Sequence, residues 1–258
     1  MKKIITSISC IVALFSLASC DWFVLDNLDG WDAQVEGQIL DTGTNKPIQM
    51  EQGNSIQVYE LYGEQYDHTN QLGEKGWDGH SAISWAVKNN GTYVNKLTFA
   101  GKYEFQPTSG NFKADKQEFT LAKGANTVDF KGTPYLRIKN EKISWDGSKI
   151  NATFDVEVAV AGTKVSRVEV CVWPDRWVRH SSNNAKDATS YKANPTATSF
   201  SLSVDSKNAA NAAEFQYDRV HYIRIAALGQ NPSNSGNAYN YSPVYKLEKG
   251  QITEVTDW

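Results

Sequence analysis

Cysteine is nearly absent. The 258 residues hold three, and two of them (Cys10 and Cys20) fall within the first twenty, so Cys171 is alone in the rest of the chain. No disulfide framework can hold that part together, and its fold must rest on packed cores. A surplus of one charge sign is lacking too, with 26 Lys and Arg against 29 Asp and Glu. Mild acidity without a basic stripe excludes nucleic acid as the expected partner. Catalytic signatures are also missing: the chain has no Gly-x-Ser-x-Gly elbow, no His-Glu-x-x-His, no Cys-x-x-Cys and no phosphate-cradling glycine loop. Carboxylates are plentiful enough to draw a glycosidase pair on paper, but sequence supplies no separation to test, and solvated surface charge explains them. The expectation is a protein that is not an enzyme and uses no cofactor and no metal.

What is present begins at the N-terminus. Met1-Lys2-Lys3 precedes an apolar stretch from Ile4 to Leu17, which ends in Leu17-Ala18-Ser19-Cys20. A positive start, a short apolar run and small residues before a cut read as a secretory signal over residues 1–19. The run is too short and wrongly flanked for a spanning helix. With cysteine directly after the small residues, the segment resembles a bacterial lipoprotein signal. That resemblance implies cleavage after Ser19, a diacylglyceryl group on the Cys20 thiol, and acylation of the new amine with a chain such as palmitate. Two or more acyl chains make membrane anchoring stable where one does not. Residues 20–32 then form a lipidated tether. Asp26-Asn27-Leu28-Asp29-Gly30 within it lacks the alternating oxygen ligands and closing Glu of a calcium loop, and serves to keep the tether soluble.

Removal of residues 1–19 leaves 239, enough for two modest domains, and 40% hydrophobic content supports real cores. Short alternating runs broken by Gly, Asn and Asp turns read as β almost throughout. In the first half the strands are Gln34–Leu40, Ser55–Leu61, Thr92–Val94 and Gly101–Phe105. Lys116–Ala122 and Asn126–Lys131 follow, joined as a hairpin across Lys123-Gly124-Ala125, with Phe119, Leu121, Val128 and Phe130 facing inward. Thr133-Pro134 marks the boundary, since proline interrupts a ladder. In the second half Ile150, Ala152, Phe154, Val156, Val158 and Val160 alternate with polar residues and form six inward positions of one strand. Val168–Val172, which carries Cys171 as a packed thiol, Phe200–Val204, Ile223–Ile225 and Val244–Leu247 add further strands, and Ala209–Phe215 a helical turn or two. The expected fold is all-β, two tandem sandwiches over residues 33–132 and 133–258, the second of immunoglobulin or fibronectin type.

Two segments carry a family resemblance. Val35-Glu36-Gly37-Gln38-Ile39-Leu40-Asp41 with Asn45-Lys46-Pro47-Ile48, then Asn90-Gly91-Thr92-Tyr93 and Ala100-Gly101-Lys102-Tyr103, resembles the carboxypeptidase-regulatory-like, prealbumin-type sandwich. Thr133-Pro134-Tyr135-Leu136-Arg137-Ile138-Lys139-Asn140 resembles the domain junction of an uncharacterised Bacteroidetes lipoprotein family. Its members join a prealbumin-type domain to a fibronectin-like one and occur beside starch-utilisation-type glycan importers. The resemblance implies a lipid-anchored outer-membrane protein at the cell surface that holds polysaccharide beside such an importer. It transfers no binding residue. Asp21-Trp22-Phe23 departs from the family pattern in lacking the dense acidic run associated with surface export.

Aromatics supply the candidate sites. Eight tryptophans are many for this length, and several stand where turns belong. A flat aromatic ring desolvates the C–H face of a sugar while polar neighbours bond its hydroxyls. Trp173-Pro174-Asp175-Arg176-Trp177-Val178-Arg179-His180 combines both kinds of group, with Trp173, Arg176, Trp177, Arg179 and His180 as candidate glycan contacts. The alternative has Trp173 capping the sandwich core and Trp177 packed under its own loop. Tyr239 and Tyr241, after the polar Gly229–Asn237 loop, form a second cluster, expected at the opposite end of the domain. Trp77 with Trp85 is a third, Trp85 being the core member. Asp67-His68 and Asp78-Gly79-His80 lie in one polar stretch, Gly63–Ser81, where nothing fixes a tetrahedral zinc set, so a loop is expected. A structural module that binds other envelope proteins is the rival reading, since exposed aromatics serve it equally.

Overall fold

The computed structural model describes residues 30–51, 55–61, 82–106, 110–182, 191–192, 197–231 and 238–258. The first half contains β1 (Ala33–Asp41), β2 (Ser55–Leu61), β3 (Ile83–Ala86), β4 (Thr92–Thr98), β5 (Gly101–Gln106), β6 (Phe112–Lys113), β7 (Gln117–Leu121), β8 (Gly124–Thr127) and β9 (Phe130–Pro134). One sheet has the order β4-β1-β9-β6, with β8 also paired to β1, and the facing sheet has the order β3-β2-β5-β7. Alternation explains β1: Ala33, Val35 and Ile39 are buried while Gln34 and Glu36 face solvent. The core between the sheets is largely aromatic. Phe105 stacks on Phe130 at 4.3 Å, and Tyr93 and Trp85 continue the series at 5.7 and 5.8 Å.

The expected hairpin across Lys123-Gly124-Ala125 does not form. Strand β7 pairs with β5 in one sheet, whereas β8 runs parallel to β1 in the other. The inward residues are as expected, with Leu121 and Phe130 buried and Phe119 and Val128 packed on the same core. Because these side chains enter the core from opposite sheets, the chain crosses the sandwich at Gly124 (φ +87°) instead of folding back on itself. Asn126 stabilises that crossing by accepting from the Ala122 N–H and donating to the Ala122 and Gly124 carbonyls.

The second half contains β10 (Leu136–Trp145), β11 (Lys149–Val158), β12 (Lys164–Trp173), β13 (Tyr191–Lys192), β14 (Ser199–Asp205), β15 (His221–Gln230), β16 (Ala238–Tyr241), β17 (Tyr245–Glu248) and β18 (Gln251–Glu254). A sheet of order β10-β11-β14 faces one of order β13-β12-β15-β17-β18, with β16 also on β15. Three strands against a larger sheet, with β10–β11 and β12–β15 as the antiparallel centres, is the fibronectin-type arrangement. Asp146 accepts from the Ser148 and Lys149 N–H groups to close the β10–β11 turn at Gly147 (φ +96°). Along β11 only Ile150, Ala152, Phe154 and Val156 point inward to burial. Val158 is 46% exposed and Val160 lies beyond the strand, so the core row is four residues long, not six. A short helical passage follows β14, with a 3-10 turn at Ala209–Asn211 and one α turn at Ala212–Phe215.

Candidate binding site

Strand pairing sets up the site. Registers Cys171↔Arg224 and Ala226↔Tyr241 place these residues on the outer face of the larger sheet, opposite Val170, Val172, Ile223 and Ile225 in the core. An outer sheet face normally meets water. Here it is covered, and Cys171, Val178, Ala226, Tyr241, Val244 and Val255 form a second buried cluster with Trp173, Tyr222, Tyr239 and Trp258 packed against it. Residues 174–182, the tail Val255–Trp258 and the first domain make the cover.

Arg224 lies at the centre of that cover and is fully buried. Its guanidinium donates to the Ser242 carbonyl (2.9 Å) in its own domain and to the Met50 (2.7 Å) and Asn89 (3.0 Å) carbonyls of the first domain. Tyr241 lies under it with the ring centre 4.3 Å away. Burial lowers its pKa to about 10, so it remains charged at neutral pH. Further ties run along the same seam. Arg137 of β10 grips Asp41 of β1 in a two-point contact at 2.6 and 2.7 Å, and its third arm reaches Glu157. Asn240 accepts from the Leu136 N–H and donates to the Asn111 carbonyl, while the Tyr241 hydroxyl donates to Glu51.

The candidate residues assemble around this seam. Trp173 is half-buried on the outer face, in the second cluster and not over the sandwich core. Trp177 is half-buried beside Trp258, with ring centres 5.9 Å apart. Arg176 donates to the Asp257 carbonyl and stands over the Trp258 ring, and its own carbonyl accepts from Asn89. Arg179 reaches Glu51 at 3.6 Å. His180 pairs with the buried Glu169 and stacks on Tyr239 at 4.2 Å. Burial pushes the Glu169 carboxyl up against the pull of His180, and it pushes the Tyr239 phenol up to about 12, with the Glu169 charge adding to that.

The expectation that the two aromatic clusters lie at opposite ends of the domain is therefore overturned. Strand β16 pairs with the β15 segment that faces Glu169, and the loop after β12 folds back over that face, which brings His180 onto Tyr239. Tyr241 offers no open ring: it is 5% exposed, with Arg224 on its face, and so acts as a tie between domains. Trp85 is in the first core, as read from sequence. Cys20, Trp77 and the His68 and His80 segment lie outside the described residues. Sequence reasoning missed Arg224, Glu169 and Trp258. The signal for the first was a lone Arg inside the apolar run Tyr222-Ile223-Arg224-Ile225-Ala226-Ala227.

Next to the seam a cleft of about 690 Å³ opens between the domains. One wall is the end of β1 and the turn beyond it, including Asp41 and Lys46–Gln49, with Gln38 and Asn90. The other is β10 from Leu136, the β16–β17 joint and the tail to Trp258. Among the described residues no group of three or more His, Cys, Asp or Glu side chains is placed to hold a metal ion. The surface offers planar rings, amides and paired charges, a chemistry suited to recognition.

Fold and seam together define the class: two β-sandwiches in tandem, joined across a polar seam beside a cleft to which both contribute. Residues 33–133 match the family described as "Protein of unknown function (DUF3823) N-terminal domain", and residues 136–246 match its companion, "Domain of unknown function (DUF3823_C)". The chain belongs to this two-domain DUF3823 family, which names no catalytic activity. It is similar to the crystal structure of a "putative carbohydrate binding protein" from Bacteroides uniformis, with 25% identity, TM-score 0.71, 85% of this chain and 100% of that one. A DUF3823 protein from Parabacteroides merdae (23%, TM-score 0.65, 85% and 100%) and one from Bacteroides ovatus (16%, TM-score 0.65, 84% and 98%) share the fold. No curated protein matches the chain.

Proposed function

We propose that the chain is a non-catalytic lipoprotein, anchored through Cys20 to the outer membrane and displayed at the cell surface, that binds polysaccharide as an accessory to a glycan importer. The observation that carries this reading is the likeness, over 85% of this chain, to the Bacteroides uniformis protein described as a "putative carbohydrate binding protein", together with the Trp177–Trp258 pair beside the domain seam. The Cys20 signal supports the anchor. Weak stacking contacts on several anchored copies gain avidity from a shared membrane, so micromolar to millimolar affinity per site suffices. The test is affinity electrophoresis of the chain from residue 21 onward through gels that contain plant, host and microbial polysaccharides. Retardation by one glycan supports the reading, and free migration through every gel rejects it.

A second reading has one observation in its favour. Val94 and Leu97 on edge strand β4 and Ile83 on edge strand β3 are 47%, 59% and 40% exposed. Apolar side chains on sheet edges suit contact with another envelope protein. Under that reading every gel fails to retard the chain, while pull-down from solubilised envelope recovers a partner that Leu97→Asp loses.

A further inference from the structure

We propose that the cleft between the domains, not the outer aromatic loop alone, seats the ligand, and that the ligand is a segment of an uncharged polysaccharide chain lying against Trp258. This rests on the polysaccharide reading above and narrows it to a place and a chemical class.

Three observations lead there. The first is shape. A volume of about 690 Å³ falls within the ~300–1,000 Å³ typical of small-molecule sites, and none of residues 174–182 lines it. The second is rigidity. The Arg137–Asp41 contact stands within the cleft, and the Arg224 guanidinium behind it holds carbonyls from both domains, so the walls are set before a ligand arrives. Preorganised walls reduce the ordering cost that weak sugar contacts would otherwise have to offset. The third is the lining. Trp258 is half-buried and fixed by donation from its Nε1–H to the Val255 carbonyl at 3.0 Å, with Trp177 beside it. That makes a held ring rather than a free one. Gln38 and Asn90 face the same cleft. The Asn90 side-chain oxygen accepts from the Thr92 N–H and hydroxyl, and among the described residues neither the Asn90 amide nitrogen nor the Gln38 side-chain amide has an intramolecular partner. Such groups are suited to hydroxyls.

Charge assigns the class. Lys46, Arg137 and Lys139 along the walls are matched by Asp41, Glu141 and Glu254, and Arg137 is already committed to Asp41 and Glu157. A polyanion would meet carboxylates on both walls, and a polycation would meet ammonium and guanidinium groups. An uncharged chain meets neither penalty.

The experiment uses the chain from residue 21 onward, which carries every described strand. It is run in gels of neutral polysaccharides (α-glucan, β-glucan, xylan, galactomannan) and of the polyanions polygalacturonate and chondroitin sulfate. Three variants accompany it: Trp258→Ala, Gln38→Ala and, as an outlying control, Tyr217→Ala, at a residue that is 60% exposed. Melting temperatures are recorded for all, and Gln38→Ala, at a half-buried strand position, keeps the test open if Trp258→Ala unfolds the tail. The expected result is retardation in at least one neutral gel and in no polyanion gel. Trp258→Ala weakens it about tenfold, Gln38→Ala weakens it measurably, and Tyr217→Ala leaves it unchanged. Retardation of the parent with both cleft variants binding as tightly overturns the cleft while leaving the polysaccharide reading intact. Retardation in polyanion gels alone overturns the uncharged class. No retardation anywhere removes the reading and this inference together.

Discussion

Asp41 shows how one side chain can serve two structures. Its carboxylate closes its own turn by accepting from the Gly43 N–H and the Thr44 hydroxyl, and it also holds Arg137 of the next domain. Burial alone would raise its pKa, but Arg137 and those two donors more than offset it, and the group stays below the usual carboxylate range. A depressed folded pKa contributes stability that is fully present above the unfolded value, about 4, and is lost as pH falls through the folded one. Chemical denaturation at stepped pH should therefore show a plateau at neutral pH and a decline below about pH 4. Asp41→Asn should be less stable at pH 7 and decline less in acid. Equal loss in both would mean that the carboxylate does not carry the effect. Trp177 makes the contrasting case. It is half-buried on a loop, so Trp177→Ala should weaken glycan retention yet shift the melting temperature by only about 2–4 °C, the equivalent of roughly 1 kcal/mol. A much larger drop would make it a core residue. At this scale the sequence displayed Trp177, Arg176 and His180 by their placement in a turn-rich stretch. It could not display Glu169 or Trp258, whose roles depend on which strand lies beside them.

At the scale of elements, alternation located most strands and told little about partners. Strand β2 falls at Ser55–Leu61 as read, because its inward side chains Ile56 and Val58 alternate cleanly with polar ones. The β7–β8 connection was misread because a Gly-containing turn between two apolar runs is the same local signal whether the chain doubles back or crosses to the facing sheet. What settles it is the open flank of β1, which takes β8 and β9 in parallel, a pairing between residues about ninety apart in sequence. Gly37 records the closeness of that approach. A Cβ there would lie 1.7 Å from the Val128 carbonyl oxygen, which also accepts from the Tyr93 hydroxyl. Relief would require β1 to move away from the segment after β8. Gly37→Ala should accordingly cost at least about 1–3 kcal/mol in urea unfolding, as overpacking does. Gly147→Ala, with open space around its Cβ, should show only the milder strain of its positive φ. If Gly37→Ala proved the milder of the two, the close β1–β8 approach would be wrong.

For the whole molecule the question is whether two sandwiches behave as one body. Interfaces between domains of one chain are commonly polar and allow relative motion. This seam is polar but not loose, because its central donor has no substitute. With Arg224 gone, the Met50 carbonyl is left buried without a partner, at roughly 1–3 kcal/mol, and the Asn89 carbonyl keeps the Met50 N–H but loses its tie to the second domain. Arg224→Met keeps an unbranched apolar stem and removes the guanidinium, with its donors and its charge over Tyr241. The parent chain should melt in a single calorimetric transition, since unfolding either domain strands the same groups in the other. Arg224→Met should lower the first transition and split the trace in two, and glycan retention should fall with it because the cleft walls are no longer held at a fixed angle. Arg224→Lys should recover little, since one ammonium cannot span three carbonyls in fixed directions as a planar guanidinium does. A single unshifted transition in Arg224→Met would mean that the domains are coupled by the other contacts of the seam, with Arg137–Asp41 and Asn240–Asn111 foremost. The same scan on Arg137→Met would then locate the coupling.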